Sequence, residues 1–291
     1  MGLNELSAEE ADIIVHKGTE RPFSGKYNDL FQPGLYICRR CNVPLYYSKD
    51  KFKSDCGWPS FDDEIKGAVK RIPDTDGIRT EITCAKCNAH LGHVFTGEHL
   101  TKKNVRHCVN SISMKFIPKE ELKTVVFGGG CFWCIESAFR IVDGVVAVIS
   151  GYAGGQTKNP TYEEVSTGKT GHAEVVEVVY YSERISLEKL LNIFFSIHDP
   201  TSINRQGNDS GTQYRSLIIY SEAAQKKIID EYIDRLQKTL TKLIVTETRK
   251  LDVFYTAEDY HQSYFEKNPL HPYCLLTIPP KLDKVKKIME K

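Results

Sequence analysis

The stretch TVVFGGGCFWCIESAFRIV, residues 124–142, decides how the second half of the chain folds. Its β-branched start, TVVF, reads as a strand. The glycines Gly128 to Gly130 let the backbone turn tightly, and CFWCIESAFRIV spaces Ile135, Ala138 and Phe139 along one helical face. Cys131 therefore falls at a helix N-terminus, where partial positive charge and free N–H groups stabilise a thiolate. With Cys134 it forms a Cys-x-x-Cys pair, able to grip a metal, close a disulfide or do redox chemistry. Phe132 and Trp133 lie between the two thiols. Consecutive helical side chains point in different directions, so the rings can wall a pocket beside Cys131. They fit equally well as core residues of an amphipathic helix.

Outward from this stretch the pattern continues with strands at VVAVIS (145–150) and HAEVVEVVYY (172–181) and a helix at SLEKLLNIFFSIH (186–198). A strand at RSLIIY (215–220) and a long helix over 221–240 follow. This is the strand and helix order of an α+β ferredoxin-like sandwich, with additions at its C-terminal end. The chain before residue 117 is different: turn-rich and mostly β, with short strands expected at GLYIC (34–38), RTEITC (79–84) and SISMKF (111–116). Ser7 and Glu10 predict a capped helix near its start. The charged PKEELK, 118–123, reads as a linker between a domain over 1–117 and a second over 124–291.

With 39 basic and 38 acidic residues the net charge is +1, so neither nucleic acid nor an anionic membrane surface is expected as a partner. The 41% hydrophobic and 26% charged content is that of a soluble globular protein. No apolar run reaches membrane-spanning length. The N-terminus lacks a secretory pattern, and Leu6 breaks the myristoylation pattern at Gly2. A cytoplasmic protein is the expectation.

In a reducing compartment, an odd total of nine cysteines argues for metal ligands and reactive thiols over a disulfide framework. Cys38-x-x-Cys41 and Cys84-x-x-Cys87 are paired knuckles, each after a candidate strand. Four thiolates suit a closed, tetrahedral, structural Zn²⁺ site that staples two distant hairpins. The competing view is two unrelated pairs of free thiols. Of the remaining cysteines, Cys56 sits in CGWPSF and Cys108 in RHCVNSISMKF. Arg106 and His107 precede Cys108, and HLGHVF supplies His90 and His93. Such neighbours lower a thiol pKa and favour the nucleophilic thiolate.

Those motifs, in that order, resemble the B-type methionine sulfoxide reductases, over nearly all of the first half. The resemblance implies two antiparallel β-sheets, with Cys108 as nucleophile and Cys56 as resolving thiol. It also implies that His90, His93 and Asn110 assist at the sulfoxide and that Trp58 shapes the pocket around the substrate methyl group. The second half is similar to the A-type methionine sulfoxide reductases. The motifs that carry this are GGGCFWCIE, GYAGGQTKNPTYEEVSTGKTGHAEVVEV, HDPTSINRQGNDSGTQYRS and EDYHQSYFEKNP.

From that likeness Cys131 is the second nucleophile and Glu174 the proton donor to the sulfoxide oxygen. Tyr162 and Tyr214 would hold the oxygen through their hydroxyls, and Asp209 would complete the polar side. Phe132 and Trp133 gain a role as the wall for an apolar, polarisable methyl thioether. A Glu beside an apolar pocket should keep its proton near neutral pH. Cys274, on a segment resembling the family's resolving tail, is favoured over Cys134 to resolve Cys131.

The chain as a whole is therefore expected to be a fused B–A enzyme that reduces R- and S-epimers of methionine sulfoxide respectively, in peptides and proteins, with the free form left open. A sulfenic acid and then a disulfide would form, and thioredoxin or a similar dithiol would restore the thiols by exchange. No organic cofactor is needed. Two other classes remain. One is a thiol–disulfide oxidoreductase, although Phe-Trp between the cysteines is unlike that class. The other is a zinc-ribbon binding module in which Cys108 is inert.

Overall fold

The computed structural model describes residues 3–74 and 77–290; Gly2, where the myristoylation pattern fails, lies outside them. The chain divides into two compact units between Leu122 and Lys123.

In the first unit α1 (Ala8–Ile14) opens with the expected capping box: Glu10 N–H donates to Ser7 Oγ, and Ser7 N–H to Glu10 Oε2. The strands are β1 (Gly34–Cys38), β2 (Pro44–Tyr47), β3 (Lys51–Phe52), β4 (Ser60–Phe61) and β5 (Val69–Pro73). They continue with β6 (Thr80–Cys84), β7 (His90–Thr96), β8 (Val105–Val109) and β9 (Met114–Pro118). One sheet has the order β2-β1-β9 and the other β3-β4-β8-β7-β6-β5. Neighbouring strands are antiparallel in both. Aromatic rings join the two sheets: Phe61 of the larger stacks on Tyr46 at 4.3 Å and meets Tyr36 edge-on at 5.0 Å, both from the smaller. Such pairs add about 1 kcal/mol each beyond the apolar area they bury.

The strand expected at 111–116 is only half realised. Ser111–Ser113 form a 3-10 turn before β9 begins. The Glu20 carboxylate explains this, because it accepts the backbone N–H groups of Ser111 and Ile112 and so removes them from any ladder.

The second unit begins with β10 (Leu122–Gly128), α2 (Phe132–Arg140), β11 (Val145–Ala153), α3 (Tyr162–Ser166), β12 (Ala173–Tyr181) and α4 (Leu187–Ile197). The short β13 (Arg205–Gln206) and β14 (Asp209–Ser210) form a hairpin, followed by β15 (Leu217–Tyr220), α5 (Ala223–Gln237), β16 (Glu247–Lys250) and β17 (Phe254–Thr256). The short helices α6 (Tyr264–Lys267) and α7 (Pro272–Thr277) lead to α8 (Pro279–Met289).

The sheet order is β16-β15-β10-β12-β11-β17. Its inner four strands are the fourth, first, third and second of the strand-helix-strand repeat, which is the ferredoxin-like arrangement. The sheet is mixed because β16 joins β15 in parallel, whereas β17 joins β11 antiparallel. Phe127 of β10 stacks between Phe139 of α2 and Phe194 of α4, with ring centroids 5.0 and 4.7 Å away. Burying such side chains contributes about 1.5–3 kcal/mol each, and this layer packs α2 and α4 against β10.

Candidate active sites and metal centre

Four cysteines of the first unit converge. The sulfurs of Cys38, Cys41, Cys84 and Cys87 all lie within 4.8 Å of one another, and Cys38–Cys87 and Cys41–Cys84 are each 3.6 Å apart. Tetrahedral thiolates about 2.3 Å from zinc stand about 3.8 Å apart, so this donor set fits the ion. Each knuckle turns the same way. Asn42 and Asn88 take left-handed φ angles of 61° and 56° and donate their N–H groups to the carbonyls of Cys38 and Cys84. Asparagine tolerates that conformation better than most residues.

Cys108 lies on β8 opposite Ser60 of β4, four residues after Cys56. That pairing sets Cys56 Sγ 3.7 Å from Cys108 Sγ. The S–H of Cys108 supports a thiolate on Cys56, with further bonds from Ser54 and Ser60, and brings Cys56 down to about 4. The same hydrogen bond and burial push Cys108 up, while Arg106 pulls it down. The pair thus favours charge on Cys56, while Arg106 acts on Cys108 in the expected direction.

Strand alternation explains why His107 does not help. It faces away, fully buried against Tyr46 and within 3.1 Å of Glu64. Arg106, two residues before Cys108, does share its face and is held by Glu98.

His93 sits directly across from Cys108 in the β7–β8 ladder. Its Nε2 meets Asp74 at 2.8 Å, and its ring meets His90 edge-on at 5.7 Å. Gly92 makes this strand pair close. A Cβ there, at φ +151°, would stand 2.0 Å from the Cys108 carbonyl oxygen. Asn110 is fastened from both ends of its amide: Oδ1 accepts from Glu20 N–H, and Nδ2 donates to Leu91 O. Trp58 donates its indole N–H to Glu20 O. Glu20 therefore holds both Asn110 and Trp58, a link no local pattern announced.

In the second unit Cys131 is the N-cap of α2, where the Trp133 N–H favours its thiolate. Gly130, at φ +95°, makes the turn and donates to Tyr214 O, which ties Tyr214 to the residue before Cys131. The thiol that acts on Cys131 electrostatically is Cys134, three residues on along α2. Burial, the Cys134 hydrogen bond and the Glu174 charge raise Cys131. The Cys131 S–H brings Cys134 down to about 6, with help from Lys281, Thr277 and Tyr273. Cys274, fully buried on α7, lies near enough for the Cys134 charge to raise it in addition to burial. Its neighbours on α7 flank Cys134, with Tyr273 OH at 3.9 Å and Thr277 Oγ1 at 3.6 Å.

Glu174 is 2% exposed, and its Oε2 accepts the N–H of Phe132, the first residue of α2. Burial pushes it up to about 8, with the Asp209 and Cys134 charges adding to the rise. Its carboxyl is protonated at neutral pH. Burial raises Tyr162 and Tyr214, and Glu174 and Cys131 add to the rise in both. Asp209 Oδ2 accepts a 2.6 Å hydrogen bond from Tyr273.

Phe132 has no exposed surface and packs among Tyr152, Tyr162 and His261, so one ring lines the core and the site together. Trp133 stacks on Tyr264 at 3.7 Å and donates its indole N–H to His261 Nδ1 at 3.0 Å. His261 and Glu258, which bonds Tyr152 OH and Tyr162 N–H, are members of the EDYHQ motif that residue-level reasoning had not singled out.

Comparison with known proteins agrees with this division into two sites. The family model described as peptide methionine sulfoxide reductase matches residues 123–291, and the SelR domain model matches residues 6–118. The chain belongs to the peptide methionine sulfoxide reductases. It joins a B-type domain to an A-type domain and carries both activities, B for the R- and A for the S-sulfoxide.

Among relatives of the A-type domain, the peptide methionine sulfoxide reductase MsrA of Trichodesmium erythraeum is 57% identical over 168 residues, which is 57% of this chain and 95% of that protein. The MsrA of Saccharolobus solfataricus is 50% identical over 167 residues, covering 57% of this chain and 94% of its own length. The reduced form of Mxr1 from Saccharomyces cerevisiae is similar in structure, with TM-score 0.52 and 36% identity, over 54% of this chain and 91% of that one. No helix among the described residues is long and apolar enough to cross a membrane.

Proposed function

We propose that each domain runs its own thiol cycle on methionine sulfoxide, and that the carrying observation is the 3.7 Å approach of Cys56 to Cys108. In the B domain, over about the first 117 residues, Cys108 attacks the sulfur of the R-sulfoxide. His90 and His93 protonate the sulfoxide oxygen, which then passes from the methionine sulfur to Cys108 Sγ as the transient S–S bond breaks, releasing methionine and leaving Cys108 as a sulfenic acid. Cys56 then attacks that sulfur and displaces water, which leaves the Cys56–Cys108 disulfide. Trp58 walls the methyl group and Asn110 fixes the strand end beneath it. The charge on Cys56 in the resting state passes to Cys108 by shift of the one shared proton. Cys38, Cys41, Cys84 and Cys87 hold a zinc ion whose contribution is structural, with no open position for substrate.

In the A domain, 124–291, Cys131 attacks the S-sulfoxide, and Glu174 donates its proton to the oxygen. Tyr162 and Tyr214 hold that oxygen through their hydroxyls, Asp209 supplies the remaining polar contact, and Phe132 and Trp133 pack against the methyl group. Cys134, one helix turn from Cys131, resolves first. Cys274 then attacks Cys134 and carries the disulfide onto α7, where an external dithiol of the thioredoxin class reduces it by exchange. Peptide-bound sulfoxide is the substrate, and the thiol chemistry suits a reducing cytoplasm.

The test is reduction of separated R- and S-sulfoxide peptides by the full chain, with Cys108→Ser and Cys131→Ser alongside. Loss of R activity alone in the first and S activity alone in the second supports these roles. Loss of neither, or reduction of protein disulfides without reduction of sulfoxides, overturns them.

A further inference from the structure

His90 and His93 are neighbours on one strand but are held in opposite senses. His93 is anchored through Nε2, on Asp74. His90 is anchored through Nδ1, 2.7 Å from Glu81 Oε1, and its Nε2 is buried without a hydrogen-bond partner among the described residues. An ionised carboxylate only accepts, so Nδ1 carries a proton and Nε2 is the nitrogen free to exchange one. Glu81 is itself 2% exposed, on β6, and its other oxygen takes the Lys17 ammonium at 2.8 Å. Lys17, on the segment after α1, is the exposed end of this chain of charges, with 61% of its side chain accessible. A buried carboxylate costs several kcal/mol unless paired. Here each oxygen has a partner, and one of them is an imidazole on the nucleophile's own sheet.

We propose that Glu81 is a positioning residue for R-sulfoxide reduction, fixing the His90 ring and tautomer so that Nε2 delivers a proton to the substrate oxygen, with Lys17 setting the strength of that hold. This rests on His90 acting as a proton donor. In the step, Nε2–H passes to the oxygen as the S–O bond breaks, while Nδ1–H stays on Glu81, as in other carboxylate-oriented histidines. The groups facing His90 are Glu81 from β6, His93 from β7 and Lys17. Burial lowers His90, Glu81 raises it, and His93 and Lys17 lower it. Removing the two outer charges should therefore move the proton affinity of His90 in opposite directions, which a merely structural contact would not do.

The experiment measures kcat against pH for R- and S-sulfoxide peptides with the full, zinc-loaded chain and its Glu81→Gln, Lys17→Met and His90→Ala variants. Glu81→Gln is expected to reduce R-sulfoxide kcat about 10- to 100-fold and to move its alkaline limb to lower pH. Lys17→Met moves that limb to higher pH, and S-sulfoxide kcat stays at wild type in both. Unshifted limbs, or shifts in the same direction, overturn the inference. If Glu81→Gln loses its zinc and its fold, the exposed Lys17→Met decides alone: an upward shift supports the inference and none overturns it. Full R activity in His90→Ala would instead remove the underlying role of His90, and the inference with it.

Discussion

The two reactive dithiols reach the same juxtaposition by opposite routes. Cys56 and Cys108 are 52 residues apart and meet only because β4 pairs with β8. Cys131 and Cys134 are brought together by one turn of α2. The first pair is half-buried, and the second is buried against α7, where Cys274 waits as a third thiol. A dithiol built by sheet register depends on everything that sets the register, whereas a dithiol built by a helix turn depends mainly on how that helix begins.

Breaking the register is expected to give the largest effect. Cys84→Ser, or removal of zinc by a chelator, takes away a contribution of about 10 kcal/mol or more to folding of the B domain. R-sulfoxide reduction should vanish together with bound zinc. S-sulfoxide reduction should persist, since the A domain has its own sheet. Metal content measured beside epimer-resolved activity checks this, and equal loss of both activities would contradict it.

A smaller effect belongs to the donor at the helix start. Glu174→Gln keeps an acceptor for Phe132 N–H but carries no carboxyl proton, so S-sulfoxide kcat should fall about 100- to 10,000-fold with R-sulfoxide kcat unchanged. The wild-type group is protonated at neutral pH and loses its proton as pH rises through about 8. S-sulfoxide turnover should decline across that range, and the decline should be absent in Glu174→Gln. A stopped-flow pH series reads both.

The smallest effect sharpens a likeness between the sites. One indole N–H pins each aromatic wall, Trp58 to Glu20 O and Trp133 to His261 Nδ1. Trp58→Phe and Trp133→Phe should each cost about 1–3 kcal/mol, because a buried acceptor loses its donor. The effect should appear as a raised KM for one epimer only, and thermal unfolding with epimer-resolved kinetics measures it.

Local features were legible in the sequence and long-range ones were not. The capping box at Ser7 and Glu10, the turn at Gly130 and the Cys131–Cys134 pair are all short-range patterns, and each is present. The ferredoxin-like strand order followed from element order alone. The pairing of Cys56 with Cys108 had no spacing to reveal it and came only from family resemblance.

Glu20 and His261 were missed because they act on residues 38 to 128 positions away, and Glu81 because it reaches His90 only through the pairing of β6 with β7. His107 misled because adjacency in a strand means opposite faces. Cys274 is favoured by its place in the tail and Cys134 by its place one helix turn from Cys131, so the order of the two thiols is what the following measurement decides.

The most direct measurement is disulfide mapping after a single turnover without reductant. Fully reduced full-length chain is mixed with one epimer, quenched with acid at intervals, alkylated and digested for mass spectrometry. With the R-epimer the account predicts a Cys56–Cys108 disulfide and nothing in the A domain. With the S-epimer it predicts Cys131–Cys134 first and Cys134–Cys274 later. A Cys131–Cys274 disulfide forming first, with Cys134 alkylated throughout, would contradict it.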